Sequence, residues 1–292
     1  MENKKKRRWG DRKDGELLRN IDAMHFIMPL IYPNRCDNEA FISERIDLTK
    51  LNEFLDKKNK TETEYKYNLF QVIVTAVLKT VTLRPKMNRF IANKNLYQRN
   101  EVSAAFVIKK IFSDNSEEGL AFIHSSGADN LNSVHNEIFR QVLSCRKGEE
   151  KDGTNTALNI FNKMPRFISK AIVSVVCALD KRGKVPGALV ETDPYYASVI
   201  LSNLGSIKLH SGYHHLTNWG TTSVFVVVGE RKIRPFYDEN GNVSMKDSVD
   251  LGLTVDERIA DGYYFSKTVR LLKTLLENPE LLDKRLDEEV EY

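Results

Sequence analysis

The sequence predicts an α+β fold, a two-layer mixed sheet packed with helices, on three observations. The last third is dense in strand-like segments: ASVILSNLG, TTSVFVVVGE and SVDLGLTVD. Earlier segments carry helical periodicity, as in YKYNLFQVIVTAVLKTV, where Leu69, Phe70, Ile73, Val74 and Val77 share a face. The strands are not regularly separated by helices, which argues against a doubly wound parallel sheet. With 292 residues, 41% hydrophobic and 29% charged, the chain can bury a sizeable core.

In order along the chain, residues 1–38 are charged and irregular and read as an N-terminal extension. Within them HFIMPLIY carries Pro29 and Pro33, so it is expected to be a poor helix that packs as an arm over the body or a neighbouring subunit. Residues 39–280 form the main domain. A strand over 40–47 leads to a helix through Leu51, Phe54 and Leu55, capped by Asp47 or Thr49. The 69–83 helix sets Gln71, Thr75 and Lys79 on its other face and ends at Arg84-Pro85.

VSAAFVIKKIF and GLAFIHSS read as strands and LNSVHNEIFRQVL as a helix. KGEEKDGTN is a polar break, and residues 155–180 look helical, interrupted at Met164-Pro165. TTSVFVVVG is apolar on both faces, as a strand inside a sheet must be. SVDLGLTVD alternates, with Val249, Leu251, Leu253 and Val255 opposite Asp250, Gly252, Thr254 and Asp256. Asn240-Gly241 marks a hairpin turn between these strands. A last helix carries Phe265, Val269, Leu272 and Leu276, followed by a short turn with Pro279 near its start, and residues 281–292 read as a solvated acidic tail.

A net charge of +4 is too small by itself to imply nucleic acid, and the basic run Lys4–Arg8 reads as a solvated, frayed terminus, with a contact for nucleic acid or acidic lipid as the alternative. The three cysteines, Cys36, Cys145 and Cys177, lie far apart with no ligand spacing, so no metal is expected and a reducing, cytoplasmic location is. No signal peptide is evident. The most apolar segment, FISKAIVSVVCAL, is too short to span a bilayer and contains Lys170, so no membrane partner is expected.

The chemistry-bearing stretch is TVDERIADGYY, where a strand hands over to a helix. Glu257 and Asp261 stand four residues apart and would face one another on a helical turn. Gly262 would let the chain turn or a backbone approach. Asp256, Arg258, Asp261 and Gly262 resemble the D-H-R-x-x-D-G signature of the acyltransferase components of 2-oxo acid dehydrogenase complexes, with Glu257 in place of the histidine. Chloramphenicol acetyltransferase has a similar His-x-x-x-Asp-Gly. ERIDLTKL, LRPKMN, VILSNLG and FVVVGE resemble further segments of that family in the same order, over about 40–275.

The resemblance implies a chloramphenicol acetyltransferase-like fold. It also implies transfer of an acyl group between coenzyme A, or a dihydrolipoyl-like thiol, and an unidentified acceptor. In the family the histidine is the general base, so Glu257 takes that position. Ser202, of the S-N-L-G strand, would donate to the tetrahedral oxyanion. Asp261 would be structural and Arg35 its partner, because NRCDNEAF resembles the R-K-E-x-F segment of the chloramphenicol enzymes. Arg258, Gly262, Asn203 and Gly205 would shape the site. The resemblance further implies a homotrimer with sites between subunits. No covalent lipoyl site and no lipoyl-bearing or subunit-binding domain is visible, which suggests a standalone relative.

Two readings of Glu257 stay open. A glutamate is a weaker base than an imidazole by about 2 pKa units, a deficit that burial can remove. Alternatively, the carboxylate is paired with Arg258 or Lys267 in a degenerate site, and the protein is a catalytically inactive trimeric scaffold or acyl-coenzyme A binder. A replacement base is available in YHHLTNWG. If that piece is extended, His214 and His215 point to opposite faces, so that one faces the channel. His25, His124 and His135 read as structural.

Overall fold

The structure is a computed structural model that describes residues 7–60, 65–109, 118–147 and 162–292. Most of the basic run and most of the polar break, with the helical start expected at 155–161, lie outside the described residues.

The elements follow in order as β1 (Gly15–Leu17), α1 (Ala23–Ile31), β2 (Glu39–Asp47), α2 (Thr49–Lys58), α3 (Leu69–Leu83), β3 (Arg89–Ala92), β4 (Asn95–Arg99), β5 (Val102–Lys109), β6 (Glu118–Ser125), α4 (Leu131–Lys147), α5 (Arg166–Lys181), β7 (Val199–Asn203), β8 (Val224–Val228), β9 (Lys232–Tyr237), β10 (Val243–Asp256) and α6 (Gly262–Glu277). The main sheet has seven strands in the order β2-β10-β8-β7-β5-β6, with β9 pairing the early part of β10. It is mixed: β7 runs parallel to β5 and β8, and the other pairs are antiparallel. A second sheet, β1-β4-β3, lies beside it.

One face of the main sheet is the core. Val199, Leu201, Val224, Val226, Leu251, Leu253 and Val255 pack there with residues of α3, α4 and α6. The opposite face holds a smaller cluster of Ile200, Phe225 and Val227, covered by Leu216. The period of two in SVDLGLTVD therefore separates two packing environments, with the apolar set on the helix side.

α3 is buried along the whole of residues 71–81. Gln71, Thr75 and Lys79, expected on its polar face, are inside. The reason is that each finds a partner: Gln71 completes a capping box with Asn68, Thr75 donates to the Gln71 carbonyl, and the Lys79 ammonium donates to the Arg285 carbonyl. α2 is entered through Asp47, whose carboxylate accepts from the Thr49 amide at 2.9 Å.

Two expectations are corrected. HFIMPLIY does form a helix, α1, because Asp22 accepts from the Met24 and His25 amides, and the ring of Pro29 is its buried residue. Within residues 7–38, β1 pairs with β4, a strand missed in the sequence, and Arg35 is 4% exposed. The 281–292 tail is anchored by Leu282 and Leu286, which lie in the core, with the Leu286 amide bonded to the Asp129 carbonyl at 2.8 Å, while its acids Asp287, Glu288, Glu289 and Glu291 are exposed.

Candidate active site

β10 ends at Asp256, and the chain then turns through a single 3-10 turn, Glu257–Ile259, before α6. The turn is held from below. The Arg258 guanidinium donates to both oxygens of Asp256, at 2.8 and 2.7 Å, and its remaining nitrogen donates to the Tyr32 carbonyl at 2.8 Å. Asp256 is fully buried, and the Arg35 Nε lies 3.7 Å from it. Arg35 also donates to the carbonyls of Thr217, Ile91 and Gly220. Burial holds its pKa below the ordinary arginine value, opposed first by the charge of Asp256.

This corrects the expected partnership of Arg35 with Asp261. Asp261 is the N-cap of α6, accepting from the Tyr264 amide at 2.8 Å, and has Lys86 at 4.0 Å. Its pKa is lowered chiefly by that backbone hydrogen bond. The anion buried opposite Arg35 is Asp256, the first residue of the signature. The sequence signal for it was the acid–x–base spacing of Asp256 and Arg258 at a strand end.

Glu257 sits on top of this support, exposed. Its amide donates to the Asn38 carbonyl at 2.9 Å, and among the described residues its carboxylate makes no hydrogen bond or ion pair. Neither expected partner reaches it: Arg258 is turned inward to Asp256, and the Lys267 ammonium lies over the Tyr263 ring at 5.0 Å. Nor does Glu257 share a helical turn with Asp261, because Ala260 between them is extended, with φ −162° and ψ 166°. Gly262 requires no glycine within this chain: its φ is not left-handed, and a side chain there would meet nothing within 4 Å. Beside the turn packs α1, whose outer side exposes Met24, Phe26, Leu30 and Ile31.

Ser202 lies near the end of β7, in register with Val227 of β8, which in turn faces Gly252 of β10. Glu257 is thus two strands across and five residues along from Ser202. At ~4.8 Å per strand and ~3.3 Å per residue, this is roughly 19 Å within one chain. Asn203 shapes the exit from the strand, its side chain accepting from the Ser206 amide at 3.2 Å. Gly205 permits a close approach, since a Cβ there would stand 2.5 Å from the Gly229 carbonyl.

His214 lies over the sheet face that carries Ser202. Its ring stacks on Phe225, centroids 4.2 Å apart and 8° from parallel, and Phe225 belongs to the same sheet face as Ser202. Its Nδ1 donates to the His215 carbonyl at 2.9 Å, which leaves Nε2 as the basic nitrogen. The expectation that His214 and His215 point to opposite faces is corrected: the two rings stack, centroids 4.5 Å apart. A cavity of about 270 Å³ opens elsewhere, bordered by Arg12, Arg99, Ser103, Phe122, His124 and Tyr196, and contains neither Glu257 nor Ser202. No group of His, Cys, Asp and Glu among the described residues could hold a metal ion.

The mixed sheet with helices on one face and a short turn after its long strand defines an α+β fold of the chloramphenicol acetyltransferase-like kind. The same fold is found in a probable dihydrolipoamide acetyltransferase from Listeria monocytogenes, at 15% identity over 89% of this chain and 94% of that one, with a TM-score of 0.58. The cubic core of the pyruvate dehydrogenase multienzyme complex is similar at 13% identity, over 91% and 94% of the two chains, with a TM-score of 0.60. A chloramphenicol acetyltransferase is similar at 12% identity, over 90% and 98%, with a TM-score of 0.52. Residues 170–283, which contain Ser202, His214, Glu257 and Asp261, match the family model of the 2-oxoacid dehydrogenases acyltransferase (catalytic domain). No curated protein sequence matches the chain.

Proposed function

We propose that the protein is an acyltransferase of the 2-oxo acid dehydrogenase type. It moves an acyl group between coenzyme A, or a dihydrolipoyl-like thiol, and an acceptor, at sites completed between the chains of a homotrimer. The observation that carries this reading is the separation of Glu257 and Ser202 within one chain. Each sits on a different part of the surface, about 19 Å apart by strand geometry, so a site using both needs a second chain. The apolar outer side of α1, beside Glu257, supports such a junction.

In this reading Ser202 donates a hydrogen bond to the oxyanion, and Asp256, Arg258 and Arg35 fix the turn from which Glu257 takes the thiol proton. Contact with a neighbouring chain would desolvate the carboxylate and bring its basicity toward that of imidazole. A second reading has one observation in its favour: Glu257 is exposed and its carboxylate is unpartnered among the described residues, as in an inactive scaffold or acyl-coenzyme A binder.

Thiol release from acetyl-coenzyme A, with and without dihydrolipoamide, separates the two. Wild type is expected to turn over slowly, Glu257→His to be faster, Glu257→Gln to be inactive, and Ser202→Ala to lose about 100-fold or more. Retention of the rate in Glu257→Gln together with its loss in His214→Ala would move the base to His214. No turnover in any form, with acyl-coenzyme A still bound, would leave the scaffold reading.

A further inference from the structure

The segment around α5 plays no part in the site. After Pro165 the helix runs sixteen residues, RFISKAIVSVVCALDK, and among the described elements none packs closely along it. Its last turns are held: Val176 to Leu179 are half-buried, the Arg12 guanidinium donates to the Asp180 carbonyl at 2.6 Å, and the Asp180 carboxylate accepts from the Tyr196 hydroxyl at 2.8 Å and the Gly220 amide at 3.2 Å. At 3.6 residues per turn, Phe167, Ala171 and Val175 form one row, with Ile168 beside it. All four are exposed, Phe167 at 74% and Val175 at 60%.

The exposed charges of the helix and its flanks are of one sign, with Val173, 51% exposed, among them. Lys163, Arg166, Lys170, Lys181, Arg182 and Lys184 are exposed, and none forms an ion pair among the described residues. The one acid between 163 and 184 is Asp180, which is buried. Arg166, Lys170 and Lys181 lie in a row along one margin of the apolar strip, and Arg182 closes its far end.

We propose that α5 is a peripheral membrane-binding helix that lies in the interface of an anionic lipid bilayer, with Phe167, Ile168, Ala171 and Val175 in the acyl boundary and the six basic side chains at the headgroups. An exposed apolar strip flanked by cations is the pattern that binds such a surface. No described helix is long and apolar enough to cross a membrane, so the contact is with the surface. The charge also argues against a second copy of the chain as the occupant. A two-fold interface through this helix would set cations against cations, and the buried centres of protein interfaces are poor in lysine. The expectation of no membrane partner is thereby revised for this face alone.

Co-sedimentation of the full chain with vesicles of phosphatidylcholine and of phosphatidylcholine with phosphatidylglycerol tests the inference. Binding is expected only to the anionic vesicles and is expected to weaken with salt. Each of Lys170→Gln and Lys181→Gln should weaken it about fivefold, and Phe167→Ser with Val175→Ser should abolish it. Circular dichroism should be unchanged, since these side chains are exposed. Absence of binding to anionic vesicles overturns the proposal. So does binding that survives the α5 substitutions and disappears on removal of residues 1–8. A change in sedimentation mass in Phe167→Ser with Val175→Ser, without vesicle binding in wild type, would instead make the face a contact between copies.

Discussion

At the scale of single residues, the Asp256–Arg258 pair is the support on which the proposed site rests. Removing Arg258 leaves a buried carboxylate facing only the more distant Arg35. Arg258→Ala is therefore expected to cost roughly 3–5 kcal/mol in a denaturant unfolding measurement, far more than a change at the exposed Glu257. Gly252 is equally constrained: a Cβ there would lie 2.0 Å from the Gly212 carbonyl, so the segment over the sheet could not keep its seat. Gly252→Ala should destabilise by about 2–3 kcal/mol and disturb the His214 ring, which a shift of its NMR signals would show. His135 gives a pH dependence. Its Nδ1 bonds the Gln71 side chain at 3.0 Å and its ring stacks on Tyr67, and burial lowers its pKa below 6.5. The neutral ring is the one the fold favours. Its contribution is present above the unfolded value near 6.5 and is lost as the pH falls through the lower folded value. The fall in melting temperature between about pH 7.5 and about pH 5.5 should be smaller in His135→Gln than in wild type.

Among the elements, α3 shows how local and tertiary signals combine. Its apolar spacing is legible, and so is its end at Arg84-Pro85. Its start is fixed by the reciprocal bonds of Asn68 and Gln71, at 3.1 and 3.0 Å. Asn68→Ala removes one of these and should cost about 1 kcal/mol, read from a denaturant midpoint with unchanged slope. α1 shows the reverse case. A proline inside a nine-residue segment reads as a break, yet Asp22 caps the helix and the packed ring of Pro29 offsets the missing amide bond. β1 and β4 were missed because short strands of a small side sheet carry too few residues for a period of two to stand out.

On the scale of the whole molecule, the distribution of exposed apolar side chains points to assembly. Phe26 and Ile31 on α1 are 62% and 59% exposed, on the element that flanks Glu257. If the trimer forms there, Phe26→Asp with Ile31→Asp should reduce the sedimentation mass from three chains to one and abolish thiol release while leaving the circular dichroism spectrum intact. Retention of the assembled mass would place the junction elsewhere. The α5 face carries a different kind of surface, apolar with cations alone, and its loss should leave the assembly unchanged.

The sequence by itself determined the α+β class, the long alternating strand β10, the central helix and the turn bearing Glu257. These depend on periodicity and turn chemistry, which act between residues near one another in the chain. Tertiary structure alone decided which anion Arg35 meets, that Lys79, Leu282 and Leu286 are inside, and that His214 lies over the sheet face of Ser202. Each of these joins segments far apart in the chain, and a charge or ring takes its partner from whichever backbone the fold brings within a few ångströms. Local pattern carries the direction in which a side chain points, and only the folded chain supplies what it meets there.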